Sequence, residues 1–452
     1  MAVVVTSLIL LFSCELILGD KEQSNVMLDL GAFFGGNDRA ISPPPGIAFT
    51  RIEVTVFGPG MTTIRKVLSP GARYVNMSVP AGAERRFKIE AFFTITDPQS
   101  FTRTHLRSYI GRARADLRPG RFVGLKFSMA AGATQFLVPD YNSGVIWISE
   151  DLTSFDGDEI TVLGAGQSIY PADIEISASG DIYSANYYTG ANVINYAADR
   201  YGTGSGTIPT SDRVFALAMD RNARFDIDRN LETDTSILYF STPNALFFTV
   251  VDGGGYTTPQ SMTLENRVSS ITGLTVDPWT HLLYMTGTCD GSPSVIVYDP
   301  FYRVQGVTGG WVYGRIITAR THADFRSPFD VVVKNTSVFV LNANTTTDPV
   351  PSVMEFTTDL DFIRGFGSVS LNGGTLAPST APGKFYYPLR FFAHENDGLF
   401  IIDDSNLTDP LEEDFDKVIR INQNLDGASW HTYPPAQPDQ NGNAGEYFGF
   451  FL

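Results

Sequence analysis

The sequence is poor in the residues that build metal sites and catalytic centres. Its 452 residues include only two cysteines, Cys14 and Cys289, and five histidines. Two cysteines allow neither a zinc ribbon nor a disulfide framework. No two histidines have the His-Glu-x-x-His spacing of zinc proteases, and the sequence has no G-x-S-x-G elbow and no phosphate-binding glycine loop. These absences favour a non-catalytic protein and leave an enzyme as the alternative.

Charged residues are also scarce, and one sign dominates. Charged residues make up 18% of the chain and hydrophobic residues 43%, which is typical of a folded protein. The net charge of −17 argues against nucleic acid as a partner. The balance is uneven, because fifteen Lys/Arg face six Asp/Glu between Asp38 and Ala130. A basic N-terminal region therefore precedes an acidic remainder.

Long apolar runs are missing except at the N-terminus. Residues Met1–Ser13 are largely apolar but shorter than the ~20 residues that span a bilayer. The run ends in Leu11-Phe12-Ser13-Cys14. This ending resembles a bacterial lipoprotein signal of the looser, spirochaete-like form, which implies lipidation of Cys14 and a membrane-anchored protein of the cell envelope. The alternative is an ordinary signal peptide cut near Gly19.

Alternating patterns follow a stiff break at Pro43-Pro44-Pro45-Gly46. We assign residues 1–14 to the signal peptide and 15–45 to a tether that holds at most a first strand. Residues 46–131 alternate apolar and polar side chains between turn signals, as in Arg86–Phe92, which predicts a small β-sandwich. The phrases VPAGAERRFKIEAF, YIGRARADLRPG and VGLKFSM resemble the Ig-like or transthyretin-like module of bacterial surface lipoproteins. That resemblance implies a spacer or adhesion-type domain without catalytic residues. Its outward arginines, among them Arg118, predict a solvated face, with contact to anionic headgroups or to the acidic second domain as the alternative.

A three-strand meander recurs through residues 132–452. Its clearest copy is Tyr170–Tyr196, and its middle strand carries Leu137, Tyr183, Tyr239, Tyr284, Phe339 and Phe400 at one position. Six copies predict an all-β chain in which a six-bladed β-propeller follows the sandwich. The pattern around Asp173, Asp181, Tyr183 and Asn186 resembles propellers of the NHL type.

Two details of the repeat lead to separate predictions. The first copy lacks its leading strand, and we predict that the C-terminal Glu446–Leu452 supplies it. The third copy is predicted to lead with Phe215–Asp220.

Several acidic and amide side chains are candidates for a site. They lie at the ends of predicted middle strands or in leading strands: Asp140, Asn186, Asn342, Asp403, Asp173 and Asp330. Asp and Asn at such places either line a central channel or bind their own backbone in turns, and the turn interpretation is favoured. The segment Asp226–Asn230 has the first spacings of a calcium loop but lacks its glycine and its final glutamate. We expect no cofactor, with calcium left open there.

The favoured function is that of an envelope lipoprotein whose propeller binds a protein or carbohydrate ligand. The alternative is a metal-dependent propeller enzyme of the lyase or lactonase type, with side chains converging on the central channel. We expect a membrane contact through the lipid anchor and no nucleic-acid partner.

Overall fold

The structure is a computed structural model. It describes the following residues: 23–30, 49–72, 74–96, 104–127, 129–132, 136–140, 145–149, 159–161, 170–176, 182–187, 190–194, 212–215, 224–230, 235–252, 255–305, 311–342, 350–369, 371–372, 375–376, 384–385, 387–393, 399–404, 417–421 and 431–433.

The chain divides into two compact units. The first comprises Met1–Ile95 with Leu106–Gly132, and the second comprises Thr96–His105 with Ala133–Leu452. All regular structure in the described ranges is β-strand, so the protein is all-β with many antiparallel sheets. Across those ranges, no helix has the length and hydropathy that a bilayer crossing needs.

The first unit contains eight described strands. They are β1 (Gln23–Asp29), β2 (Phe49–Phe57), β3 (Ile64–Leu68), β4 (Tyr74–Pro80), β5 (Gly82–Thr96), β6 (Thr104–Leu117), β7 (Phe122–Lys126) and β8 (Met129–Gly132). They form a three-stranded sheet in the order β4-β1-β7 and a five-stranded sheet in the order β3-β2-β5-β6-β8.

Strand β1 is the central strand of the smaller sheet. It pairs antiparallel with β4, where Gln23 faces Pro80, and parallel with β7, where Asn25 faces Phe122. Residues alternate between buried and exposed along β4, so one face of this sheet is covered and the other is open. The segment predicted as a tether therefore contributes a strand to the first unit.

The second unit begins with three sheets. Their strands are β9 (Phe136–Asp140), β10 (Val145–Ser149), β11 (Glu159–Thr161), β12 (Tyr170–Ile176), β13 (Ile182–Tyr187), β14 (Gly190–Ile194), β15 (Asp212–Phe215), β16 (Arg224–Asn230), β17 (Thr235–Thr242), β18 (Ala245–Asp252), β19 (Gly255–Tyr256) and β20 (Gln260–Met262). The first sheet is β11-β10-β9, the second is β12-β13-β14-β15, and the third is β16-β17-β18-β19 with β20 also on β18.

The remaining strands form a fourth, a fifth and a sixth sheet with two short ladders between the last two. They are β21 (Val268–Val276), β22 (Leu283–Cys289), β23 (Ser292–Gln305), β24 (Trp311–Arg320), β25 (Pro328–Lys334), β26 (Ser337–Asn342), β27 (Val353–Thr357), β28 (Phe362–Phe366), β29 (Ser368–Val369), β30 (Leu371–Asn372), β31 (Thr375–Leu376), β32 (Lys384–Phe385), β33 (Tyr387–Ala393), β34 (Leu399–Asp404), β35 (Lys417–Ile421) and β36 (His431–Tyr433). The larger sheets are β21 to β24, β25 to β28 and β33 to β36, each in chain order.

Consecutive sheets of the second unit pack face to face. Apolar side chains of the third and fourth sheets share one core, as do those of the fourth and fifth and those of the fifth and sixth. The leading strands also lie side by side, β12 beside β16, β16 beside β21, β21 beside β25 and β25 beside β33. In the second to sixth sheets, the recurring aromatic lies in the second strand and is buried, as with Tyr284 and Phe339. Apolar rows of the third to sixth sheets are therefore covered by neighbouring sheets.

The leading strand of the third sheet differs from the predicted one. Phe215 ends β15, the outer strand of the second sheet, and the third sheet begins with β16 at Arg224. The prediction of a leading strand at Phe215–Asp220 is therefore wrong. It failed because this segment is as apolar as a leading strand, whereas β16 carries four charged residues and does not look buried in sequence. The predicted closing segment Glu446–Leu452 lies outside the described residues.

Candidate functional site

Charged side chains occupy equivalent positions in the leading strands of the second unit. In five sheets, we take the position two residues after the buried aromatic of the second strand and find its partner in the leading strand. This leading-strand partner is charged in four of the five sheets. In chain order these residues are Asp173, Arg224, Gly273, Asp330 and Arg390. We call the four charged members the inner-strand charges.

Each acidic member accepts a hydrogen bond from the leading strand of another sheet. Asp173 accepts the backbone N–H of Phe225 at 3.1 Å, and Asp330 accepts that of Phe391 at 2.9 Å. Asp226, two residues beyond Arg224, accepts the N–H of Val276 at 2.6 Å. These carboxylates therefore link successive sheets.

Arg224 reaches across the fourth sheet. Its guanidinium carbon lies 5.2 Å from the ring centre of Phe329 in the fifth sheet. The intervening position is Gly273, where an added Cβ would lie 2.6 Å from the Cα of Asp330. Only a residue without a side chain allows that approach, so Gly273 lets the fourth and fifth sheets come close together.

Burial changes the titration of these carboxyl groups. Desolvation raises the pKa of Asp330 to about 6, although the positive charges of Arg224 and Arg390 oppose the rise. Desolvation likewise raises the pKa of Asp226 to about 7, against hydrogen bonds that include the one from Val276. The acidic side chains at the leading strands are thus enclosed, hydrogen-bonded groups, which is the environment of a structural link.

The structure places the six candidate residues on strands. Asp173 and Asp330 lie inside β12 and β25, where they link sheets and do not form turns. Asn342 is fully buried at the end of β26, where its amide donates to Asp324 O and Pro351 O and its oxygen accepts from Arg326 N. Asn342 therefore orders the loops around its strand.

The other three candidates lie in strands of the sixth, the first and the second sheet. Asp403 is buried in β34, and Asp140 and Asn186 belong to β9 and β13. Cys14 lies outside the described residues.

The segment considered for calcium is a strand. Asp226–Asn230 forms most of β16 and pairs residue by residue with β17, so the calcium-loop interpretation is wrong there. Asp228 is 1% exposed and lies 2.8 Å from Nδ1 of His281, a turn residue between β21 and β22. Within the described ranges, no three His, Cys, Asp or Glu side chains lie close enough to hold a metal ion.

A group of aromatic and arginine side chains protrudes from the hairpin of β23 and β24. Three residues, Pro300 to Tyr302, bulge opposite Gly314, which has a φ of +76°. A Cβ at Gly314 would lie 2.0 Å from the hydroxyl of Tyr298, because that buried ring passes directly beneath the glycine. The bulge turns Phe301 outward, and its side chain is 54% exposed.

The arginines of this hairpin are held over tyrosine rings. The guanidinium carbon of Arg315 lies 4.5 Å from the ring centre of Tyr302, and that of Arg303 lies 5.7 Å from Tyr313. The ring of Phe301 meets His281 edge to face at 6.3 Å. Both arginines are exposed, and Arg315 also forms an ion pair with Asp299, with 3.7 Å between Nε and Oδ2. Stacking on the tyrosine rings therefore limits the motion of two surface cations. We call Phe301, Tyr302, Arg303, Tyr313 and Arg315 the fourth-sheet surface.

Sequence reasoning missed the fourth-sheet surface. Its members are spread over fifteen residues and come together only because β23 and β24 pair out of regular register. The available signal was the pair of Phe-Tyr-Arg and Tyr-Gly-Arg segments at 301–303 and 313–315, which flank a segment with three glycines, Gly306, Gly309 and Gly310.

No family model matches the chain, and no curated protein matches it. Among solved structures, it is similar to the β-propeller domain of Cps50 (Swd1) from Myceliophteria thermophila, with 9% identity, a TM-score of 0.35, and 69% of this chain and 84% of that chain covered. It is also similar to the holo form of the PQQ domain of pyranose dehydrogenase from Coprinopsis cinerea, with 13% identity, a TM-score of 0.34, and coverage of 63% and 82%. A protein from Lactobacillus plantarum has 11% identity, a TM-score of 0.32, and coverage of 73% and 97%. All three scores are below 0.5.

Proposed function

We propose that the protein is a non-catalytic lipoprotein of the cell envelope whose second unit is a six-bladed β-propeller that binds another protein. The blades would be the six sheets of three or more described strands in that unit, and the two sheets of the first unit would pack as a sandwich spacer. Face-to-face packing of consecutive sheets and the side-by-side leading strands support the propeller.

The inner-strand charges support a structural role for the centre of the propeller. Asp173 and Asp330 each bind a backbone N–H of another leading strand, and Arg224 reaches across Gly273 toward the fifth sheet. Because these side chains contact the leading strands of other sheets, they hold the sheets together.

The fourth-sheet surface supports the proposal that the partner is a protein. Phenylalanine, tyrosine and arginine are enriched at protein interfaces, and tyrosine and arginine are enriched among the residues that dominate the binding energy. Here they are preorganised, since the bulge holds Phe301 outward and the tyrosine rings hold Arg303 and Arg315. Preorganised side chains lose less entropy on binding.

Photo-crosslinking tests this proposal. A benzophenone amino acid in place of Phe301, in cells that make the protein in their envelope, is expected to give one discrete protein adduct. The adduct should weaken at least about tenfold with Arg315→Glu, because the change replaces the cation stacked on Tyr302 with a carboxylate. The matched control is the same amino acid at Phe362, which is 43% exposed on the fifth sheet.

Two results would overturn the proposal. One is equal cross-linking from Phe301 and Phe362, which would show random collision. The other is a stoichiometric metal ion in the purified protein together with lyase or lactonase turnover. The mass of the mature N-terminus tests lipidation of Cys14 separately.

A further inference from the structure

The turn between β6 and β7 is held against the first strand of the first unit. Gly120 N–H donates to Gln23 O at 2.8 Å, and Asn25 N–H donates to Arg121 O at 3.0 Å. The hydroxyl of Ser24 donates to Arg118 O at 2.5 Å. Three bonds therefore fix this turn at the point where β1 begins.

The same end of the first unit is rigid on its other side. Gln23 pairs with Pro80, and the buried guanidinium of Arg85 donates to Pro80 O and Ala81 O at 2.9 and 2.7 Å. A further bond runs from Arg85 to Pro59 O at 2.5 Å. The turns at this end are thus bound to one another, and we call it the Gln23 end.

The turn presents one apolar and two basic side chains to solvent. Phe122 is 64% exposed, the largest value among the exposed large hydrophobic residues of the described chain, and Arg118 and Arg121 are exposed beside it. A phenylalanine between guanidinium groups suits a membrane interface, where the ring enters the acyl boundary and the cations meet phosphates.

The sequence places this turn close to the predicted anchor. Cys14 lies nine positions before Gln23, and an extended chain reaches at most about 32 Å over nine positions. A lipid on Cys14 would therefore keep the Gln23 end within a short distance of the bilayer. A lipid-anchored protein is more stably held when a basic patch supplies a second contact.

Acidic side chains at the Gln23 end do not neutralise the positive charge of Arg118 and Arg121. Glu84 lies 3.4 Å from Arg114, and Asp116 accepts the Glu84 N–H at 2.8 Å. The first unit also lies in the basic stretch of the chain, where fifteen Lys/Arg face six Asp/Glu between Asp38 and Ala130. The local charge therefore favours an anionic surface.

We propose that the Arg118–Phe122 turn is a second membrane contact that binds anionic phospholipid and sets the orientation of the first unit on the bilayer. This inference rests on the proposed lipid anchor for its biological setting. The contact itself needs no lipid on the protein, so it can be measured without one.

Vesicle binding of the unlipidated chain tests the contact. The chain from residue 14 onward, carrying Cys14→Ser, is expected to bind vesicles of phosphatidylcholine with phosphatidylglycerol and to bind phosphatidylcholine alone far less. Arg118→Gln with Arg121→Gln should weaken binding about thirtyfold, since each basic residue near an anionic surface is worth about fivefold. Phe122→Ser should weaken it about tenfold or more, because the ring would no longer leave water.

The opposite end of the same sheet offers a matched control. Tyr74 is 61% exposed and pairs with Asp29, and Lys126 pairs with Asp29 on the other side. Tyr74→Ser with Lys126→Gln removes one aromatic ring and one cation from that end and should leave binding unchanged. Circular dichroism should show that all variants are folded.

A tryptophan at the turn reports insertion directly. Phe122→Trp should add a blue-shifted component to the emission on anionic vesicles, measured as the difference from the parent chain. The proposal fails if the parent chain does not bind anionic vesicles, if the double arginine variant binds like the parent, or if the added tryptophan stays in water. An unmodified Cys14 in the mature protein, with vesicle binding intact, would refute the lipid anchor alone.

Discussion

Removing the carboxylate of Asp330 is expected to remove a large fraction of the free energy of unfolding of the second unit. The side chain is 5% exposed and accepts the N–H groups of Val331 and Phe391, both at 2.9 Å. An unsatisfied buried N–H costs about 1–3 kcal/mol. Breaking a buried charge arrangement costs about 3–5 kcal/mol, and the charges of Arg224 and Arg390 both act on this carboxyl.

These costs overlap, so Asp330→Ala should lower the free energy of unfolding by about 3–5 kcal/mol. Asp330→Asn keeps one acceptor oxygen and loses only the charge, so it should cost about 2 kcal/mol. A folded domain has about 5–15 kcal/mol in total, so the alanine variant should have a visibly lower urea midpoint.

Tryptophan fluorescence isolates the relevant transition. All four tryptophans, at positions 147, 279, 311 and 430, belong to the second unit, so their emission does not report the unfolding of the first. The matched control is Asp359→Asn on an exposed turn of the same sheet, which should stay within about 0.5 kcal/mol of the parent. An alanine variant within about 1 kcal/mol of the parent would refute the view that Asp330 links the sheets.

Three further predictions concern the second unit. Asp226 has a pKa of about 7 in the folded protein and an ordinary value of 3.8 in the unfolded chain. As the pH falls, the folded state therefore binds a proton at this carboxyl at a higher pH than the unfolded state does. The free energy of unfolding should therefore rise as the pH falls from about 8 to about 5, by at most about 3 kcal/mol from this group, and Asp226→Asn should flatten that rise. Gly273→Ala should destabilise the second unit by about 1–3 kcal/mol or more in urea, because its Cβ would meet the backbone of Asp330 at 2.6 Å. Deleting Glu446–Leu452 should lower the melting temperature if this segment supplies the missing strand of the first sheet.

Each of these predictions has a result that contradicts it. A stability profile that falls steadily from about pH 8 to about pH 5 would show that Asp226 is not the dominant group. For Gly273, an alanine variant within about 0.5 kcal/mol of the parent in urea would exclude close packing against Asp330 as a constraint at this position. An unchanged melting temperature after the deletion would remove the closing role of the C-terminal segment.

The repeat could be predicted from sequence because each copy requires the same local pattern of residues. Apolar residues at alternate positions and turn formers between them decide strand and hairpin without reference to distant parts of the chain. The second strands at Tyr183, Tyr239, Tyr284 and Phe339 were therefore located correctly. The leading strand β16 was not, because Arg224, Asp226 and Asp228 look like solvent-exposed residues until other sheets surround them.

Assignment of the acidic candidates failed for a similar reason. Asp173 and Asp330 each lie two residues after a proline, and in sequence they look like turn residues. Their partners are backbone N–H groups 52 and 61 residues away, and no local pattern contains such a pairing.

The sequence by itself determined an all-β chain with a repeating meander, a basic region before an acidic one, and a cysteine after an N-terminal apolar run. Those properties follow from composition and short-range periodicity. Only the tertiary structure decided that charged residues of separate copies meet between leading strands, and that a bulge raises Phe301 beside stacked arginines. It also placed Arg118, Arg121 and Phe122 at the strand that follows Cys14. The reason is physical, since each of these arrangements depends on contacts between residues far apart in the chain, and folding alone brings them together.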